Sequence, residues 1–123
     1  MDLYPTEDQL LLIELVTAFA ADRYPIETLR SYSDLGIVDR SRWRELAALG
    51  TFGLSVGESH GGLGSGFIDS VLVHEVLGEA LVPGPLIPAT LSAGLVDGVL
   101  DGSVIPSLLD ATLGEPFVIE YFR

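Results

Sequence analysis

The feature that most constrains this chain is an apolar run near its start. Leu10, Leu11, Leu12, Ile13, Leu15, Val16, Ala18, Phe19, Ala20 and Ala21 are interrupted only by Glu14 and Thr17. Thr6, with Gln9 three positions later, has the form of a capping box. Glu7 and Asp8 fall in the first turn, where the helix dipole favours anions. These signals predict a helix over residues 7–22. Tyr24-Pro25 ends it, because the residue before proline avoids the α region. Apolar side chains nearly encircle this helix, and such a helix is normally buried on every side. One small domain rarely achieves that for its first element, so the helix calls for cover beyond its immediate neighbours. A mean hydropathy of +0.44 points the same way.

The 123 residues suit one domain with a core of its own. The chain has no cysteine, which excludes disulfides, a thiol nucleophile and a cysteine-based zinc site. Its 18 acidic residues against 6 arginines argue against a nucleic-acid surface and against anionic lipid. No basic start precedes an apolar segment, so no secretory signal is read. The longest uncharged stretch, residues 80–96, is shorter than a span of about 20 residues and is cut by Pro83, Pro85 and Pro88. The expectation is a cytoplasmic protein without a membrane span.

Further along, residues 26–32 suit a short helix and Ser33-Asp34-Leu35-Gly36 a turn. Asp39 or Ser41 can cap a helix over residues 40–49, in which Trp43, Leu46, Ala47 and Gly50 form a buried stripe. Gly50 stands where a C-terminal glycine belongs. Residues 51–56 read as extended or turn-like, and a glycine-rich loop fills 57–66. A second long helix is expected over 67–81, with a narrow polar stripe of Ser70, His74 and Gly78. Residues 82–86 form a rigid connector. The next helix is expected from about Pro88 to Leu100, a further helical turn within 104–113, and a strand over 117–122. The fold class is thus all-α, a helical bundle over 1–113, with a β-strand beginning in 114–123. A lone strand is not stable in water, and the expectation is that a sheet continues beyond it.

No motif yields chemistry by itself. Gly62, Gly64 and Gly66 suggest a dinucleotide loop, but Phe67 stands at the third glycine position and Pro83-Gly84-Pro85 replaces the second strand. A tight loop between helices is the better reading. Ser55, Glu58 and His60 are the residue types of a hydrolytic triad without an ordering framework. His60 and His74 are the sole histidines, so a metal site would need both together with carboxylates, and His74 on a polar stripe reads as a surface or interface residue. Glu75 and Glu79 read as a solvated or interface face. No catalytic and no metal-binding residue is assigned.

The order of features is more informative. Trp43-x-x-Leu46-Ala47-x-x-Gly50-x-x-Gly53-Leu54 comes first, then Glu58-Ser-His-Gly61-Gly62-Leu63-Gly64, then His74-Glu75-Val-Leu77-Gly78-Glu-Ala80. This series resembles the N-terminal helical domain of acyl-CoA dehydrogenases, whose patterns are W-x-x-L-x-x-x-G-x-x-G-L, P-E-x-Y-G-G-x-G and E-E-L-G-x-A. The opening Thr-Glu-Asp-Gln and the connector Leu81-Val-Pro-Gly-Pro-Leu86 are also similar to it. Gly57 and His60 depart from the family's proline and tyrosine. The resemblance covers residues 4–113.

The resemblance implies an oxidoreductase that desaturates an acyl-CoA thioester at its α,β bond, with FAD as cofactor, in lipid or steroid side-chain degradation. It implies a β-domain and a C-terminal bundle, or a partner subunit, in a homo- or hetero-oligomer. The catalytic glutamate and the main flavin contacts would lie outside these residues, so the isolated chain is expected to be inactive. By the same resemblance, Pro85, Leu86, Ala89 and Thr90 would face the acyl tail. The alternatives are a non-catalytic helical assembly module and the same domain of a related flavin monooxygenase, since fold does not fix the reaction.

Overall fold

The computed structural model describes residues 3–35 and 39–99, and every regular element among them is helical. The helices are α1 (Glu7–Arg23), α2 (Ile26–Leu35), α3 (Arg40–Ala48), α4 (Phe67–Glu79) and α5 (Leu86–Val99), with two short 3-10 turns, Thr51–Gly53 and Glu58–His60, between α3 and α4. The expected helix end near Leu100, the turn within 104–113, the strand over 117–122 and the boundary at residue 113 lie outside the described residues.

The local signals at α1 act as the sequence implies. The Thr6 hydroxyl accepts from the Gln9 N–H at 3.2 Å, and the Gln9 side chain accepts from the Thr6 N–H at 2.9 Å. The Gln9 amide then donates to Asp69 of α4 at 2.8 Å, so the capping residue also links two helices. α1 packs mainly on α4. Its fully buried residues are Val16 and Ala20, whereas Leu10, Leu11 and Leu15 stay exposed. The all-round burial that its composition calls for is therefore not supplied by the described residues.

α2 continues through residues 33–35, which the sequence suggested as a turn. Nothing before Gly36 breaks the helical ladder, and polar residues alone do not end a helix. α3 is capped by Asp39, whose carboxylate accepts from the N–H of Ser41 at 2.8 Å and of Arg42 at 3.2 Å. Its stripe of Trp43, Leu46 and Ala47 is buried as expected. Gly50 ends it with φ +85°, and its N–H donates to the Ala47 carbonyl at 2.9 Å. The Thr51 hydroxyl takes the Leu46 carbonyl at 3.0 Å, so two carbonyls of the last turn are satisfied.

Residues 51–56 take the turn-like of the two forms expected, not the extended one. They coil through the 3-10 turn and bury Phe52, Leu54 and Val56. Trp43 stacks on Phe52 with ring centroids 4.8 Å apart, and the core joins α1, α3, α4 and this turn through Val16, Leu46, Phe52 and Leu77. The glycine loop covers the buried run. Leu63 N–H donates to Gly53, Ser65 N–H to Leu54 and Gly64 N–H to Val56, at 2.7–2.9 Å. At Gly62 an added Cβ would lie 2.1 Å from the Val56 carbonyl oxygen, which explains the second glycine of the pair.

α4 ends at Glu79 with Val82 N–H on Leu77 O and Leu81 N–H on Gly78 O, a Schellman arrangement. The left-handed position is held by Leu81, at φ +55°. Gly84, at φ +123°, lies flat on Trp43, where a Cβ would meet the indole at 2.7 Å. α5 starts at Leu86, two residues earlier than the proline suggested. Pro88 is accommodated because the first N–H groups of a helix have no intrahelical partner.

Candidate functional site

α4 and α5 pack side by side and leave an open groove of about 380 Å³ between them. Phe67 and Val71 of α4 and Ile87 and Leu91 of α5 make its walls, and all four side chains are exposed. Ser70, His74 and Thr90 also line it and supply its polar atoms.

These three groups are arranged in a chain. His74 Nδ1 lies 2.7 Å from the Ser70 carbonyl oxygen, which can only accept, so Nδ1 carries a proton. His74 Nε2 lies 3.2 Å from Thr90 Oγ1 across the groove. Thr90 Oγ1 in turn lies 3.1 Å from the Leu86 carbonyl, one turn back. His74 therefore bridges the two helices. In the expected polar stripe on α4, Ser70 is buried and His74 is half-buried beside Thr90, whose single hydroxyl proton serves either His74 Nε2 or the Leu86 carbonyl. Periodicity could not show this, because the partner of His74 sits sixteen residues away on the next helix.

Of the four residues expected at the acyl tail, Thr90 lines the groove. Ala89 belongs to the core, Leu86 packs against that core, and Pro85 is half-buried at the start of α5. The sequence reading missed Phe67, Val71, Ile87 and Leu91. Their exposure on two adjacent helices depends on how α4 and α5 pack.

A second constellation lies at the other end of α5. Asp97 accepts from the Gly57 N–H at 3.2 Å and from His60 Nδ1 at 2.5 Å. The His60 hydrogen bond first, then that of Gly57, holds the Asp97 carboxyl below its ordinary range against the opposing effect of burial. Asp97 thus fastens the glycine loop to α5. His60 is committed to this contact, and among the described residues it makes no hydrogen bond to Ser55, so no triad forms. No group of three His, Asp or Glu side chains among the described residues could hold a metal ion. No helix there is long and apolar enough to cross a membrane.

The glycine loop does not form a phosphate cradle. The N–H groups of residues 60–65 are bonded to carbonyls of the loop and of the buried run, and the Glu58 side chain lies against Gly64. Arg23 is held by Glu45 and Arg42 by Asp39. The glycine loop therefore does not fit the diphosphate of a dinucleotide.

The described chain is an all-α unit whose glycine loop packs on the buried run and whose α4 and α5 flank an open groove. The sequence profile described as "Acyl-CoA dehydrogenase, N-terminal domain" matches residues 6–100, and the chain belongs to that family. It is 38% identical over 90 residues to the acyl-CoA dehydrogenase IpdE2 of Mycolicibacterium smegmatis, a match that covers 71% of this chain and 29% of the relative. It is 36% identical over 91 residues to the acyl-CoA dehydrogenase IpdE2 of Mycobacterium tuberculosis, covering 72% and 28%. The match thus spans less than a third of these curated relatives. No solved structure matches significantly.

Proposed function

We propose that this chain is the N-terminal part of a FAD-dependent acyl-CoA dehydrogenase and forms one wall of its acyl pocket. The observation that carries the reading is the α4–α5 groove, with four exposed apolar side chains beside Thr90. An apolar, concave surface with few polar atoms suits an alkyl group and leaves the polar CoA to other parts. FAD would accept the hydride when bound, and its contacts, like the base that removes the α-proton, would come from residues beyond those described. Residues 86–91 then shape the tail end of the pocket, with Thr90 at its surface and Ala89 setting how closely α5 approaches the core. Pro85 and Leu86 would fix the entry of α5 toward the acyl tail.

The exposed leucines of α1 and the exposed Ile68 of α4 would be covered by the remaining domains or a partner subunit in a homo- or hetero-oligomer. The protein would act in the cytoplasm, in lipid or steroid side-chain degradation.

An acyl-CoA carrying a photoreactive diazirine at its tail tests the pocket role. Irradiated with the protein from its own source, it should label peptides that contain residues 67–74 or 87–91. Labelling confined to other segments would remove this wall from the pocket.

A further inference from the structure

α5 is seated by little apolar area. Its buried side chains are Ala89, Thr90 and Ala93, all small, while Ile87, Leu91 and Leu95 stay exposed. It rests mainly on the 3-10 turn at Thr51–Gly53 and only lightly on α4. Gly94 and Gly98 lie within it, and glycine is a poor helix former. Two polar ties fasten it as well. His74 of α4 meets Thr90 in its first half, and His60 of the glycine loop meets Asp97 near its end, where the Gly57 N–H also donates. These are the two histidines of the sequence, and histidine is the side chain that ordinarily changes charge between about pH 5 and 8.

We propose that α5 is a pH-sensitive wall of the groove, held firmly by its two histidine ties when the imidazoles are protonated and loosened as they lose their charge. Both ties gain from protonation. At His60 the charged ring turns a neutral hydrogen bond to Asp97 into an ion pair, and charge-assisted bonds are the stronger ones. Asp97 is ionised throughout that range, because His60 and then Gly57 hold its carboxyl below the ordinary value. At His74, Nδ1–H is committed to the Ser70 carbonyl. A neutral ring leaves Nε2 and the Leu86 carbonyl to share the one Thr90 proton. A charged ring donates from Nε2 to Thr90 Oγ1 and frees that proton for Leu86. The other charged groups around the two rings are turned elsewhere. Asp97 is the sole charged residue of α5, and residues 51–56 carry none. Glu58 lies against Gly64, and Asp69 is taken by Gln9 of α1. Glu75 and Glu79 of α4 and the acidic residues of α1 are exposed, and Arg23 pairs with Glu45. The device does not depend on what occupies the groove, so it stands apart from the acyl-pocket reading.

Native-state hydrogen exchange of the full protein, corrected for the intrinsic rate at each pH, tests this. α1 is the internal reference, because its ties to α4 (Gln9–Asp69) and to α3 (Arg23–Glu45) involve no histidine. Between about pH 6 and about pH 8 the protection of residues 86–97 relative to α1 should fall about 10-fold, about 3-fold for each tie, the scale of one partly exposed charge pair. His60→Gln and His74→Gln keep a neutral donor and should each remove one of the two steps. The double variant should show no pH response, and retained α1 protection shows that it is folded. The imidazole NMR signals of His60 and His74 in the wild type, assigned by their loss in the variants, should titrate over the same interval. The wild-type comparison decides without any variant: relative protection of α5 that is unchanged, or that rises with pH, would overturn the proposal. So would a change out of step with both imidazoles, or a full response in the double variant.

Discussion

The same substitution, glycine to alanine, should have three different effects within five residues of the glycine loop. At Gly62 the new Cβ would stand 2.1 Å from the Val56 carbonyl oxygen, 2.5 Å from its carbon and 2.6 Å from its Cβ. That carbonyl cannot simply rotate away, because it accepts the Gly64 N–H at 2.8 Å and Val56 is fully buried. Overpacking usually costs about 1–3 kcal/mol, and a clash with buried backbone belongs at the upper end, about 3 kcal/mol. At Gly64, φ is +61° and the nearest contact is the Glu58 side chain at 3.4 Å. The cost there is the left-handed conformation, about 1–2 kcal/mol. At Gly66 an added Cβ meets nothing within 4 Å and φ is −73°. Alanine gains from a less flexible unfolded chain and is slightly worse than glycine as a helix N-cap, so the net change is within about 0.5 kcal/mol. Urea unfolding, with midpoints compared at constant slope, reads the series. Equal losses at the three positions, or the largest loss at Gly66, would refute the assignment of this loop.

Leu81 should be improved by glycine: it is a solvent-exposed residue at φ +55°, and Leu81→Gly is expected to stabilise by about 1 kcal/mol in the same assay. Thr51→Val removes the donor to the Leu46 carbonyl and should cost about 1–2 kcal/mol, whereas Thr51→Ser should retain most of the stability. Asp97 has a depressed folded-state pKa, so its contribution is complete above the ordinary carboxylate value near about 3.9 and is lost as pH falls through the lower folded value. The stability difference between wild type and Asp97→Asn should therefore shrink as pH falls below that value. A difference that grows there would contradict the His60–Asp97–Gly57 clamp.

Features that depend on a few neighbouring residues were legible in the sequence. The Thr6–Gln9 capping box, the Trp43–Leu46–Ala47 stripe and the left-handed Gly50 each encode their structure within one or two turns. The family could also be read, because its three motifs occur in order within about forty residues. The site was less legible, because it is made between elements. The His74–Thr90 bridge and the His60–Asp97 contact join residues 16 and 37 positions apart. Ser70 and His74 look like a polar face when α4 is considered alone, and the packing of α1 and α5 turns that face inward. The early start of α5 was masked by Pro88, whose missing N–H costs nothing in a first turn. The apolar surplus of α1 reads as a demand for cover, and Leu10, Leu11 and Leu15 are exposed among the described residues.

The most direct test of the acyl-CoA dehydrogenase reading is an anaerobic titration of the protein, purified from its own source, with a panel of acyl-CoA thioesters, followed by flavin absorbance. The account predicts that the preparation carries flavin and that at least one acyl-CoA bleaches it while the matching enoyl-CoA accumulates. A preparation without flavin, or a flavin that no acyl-CoA reduces, would contradict it.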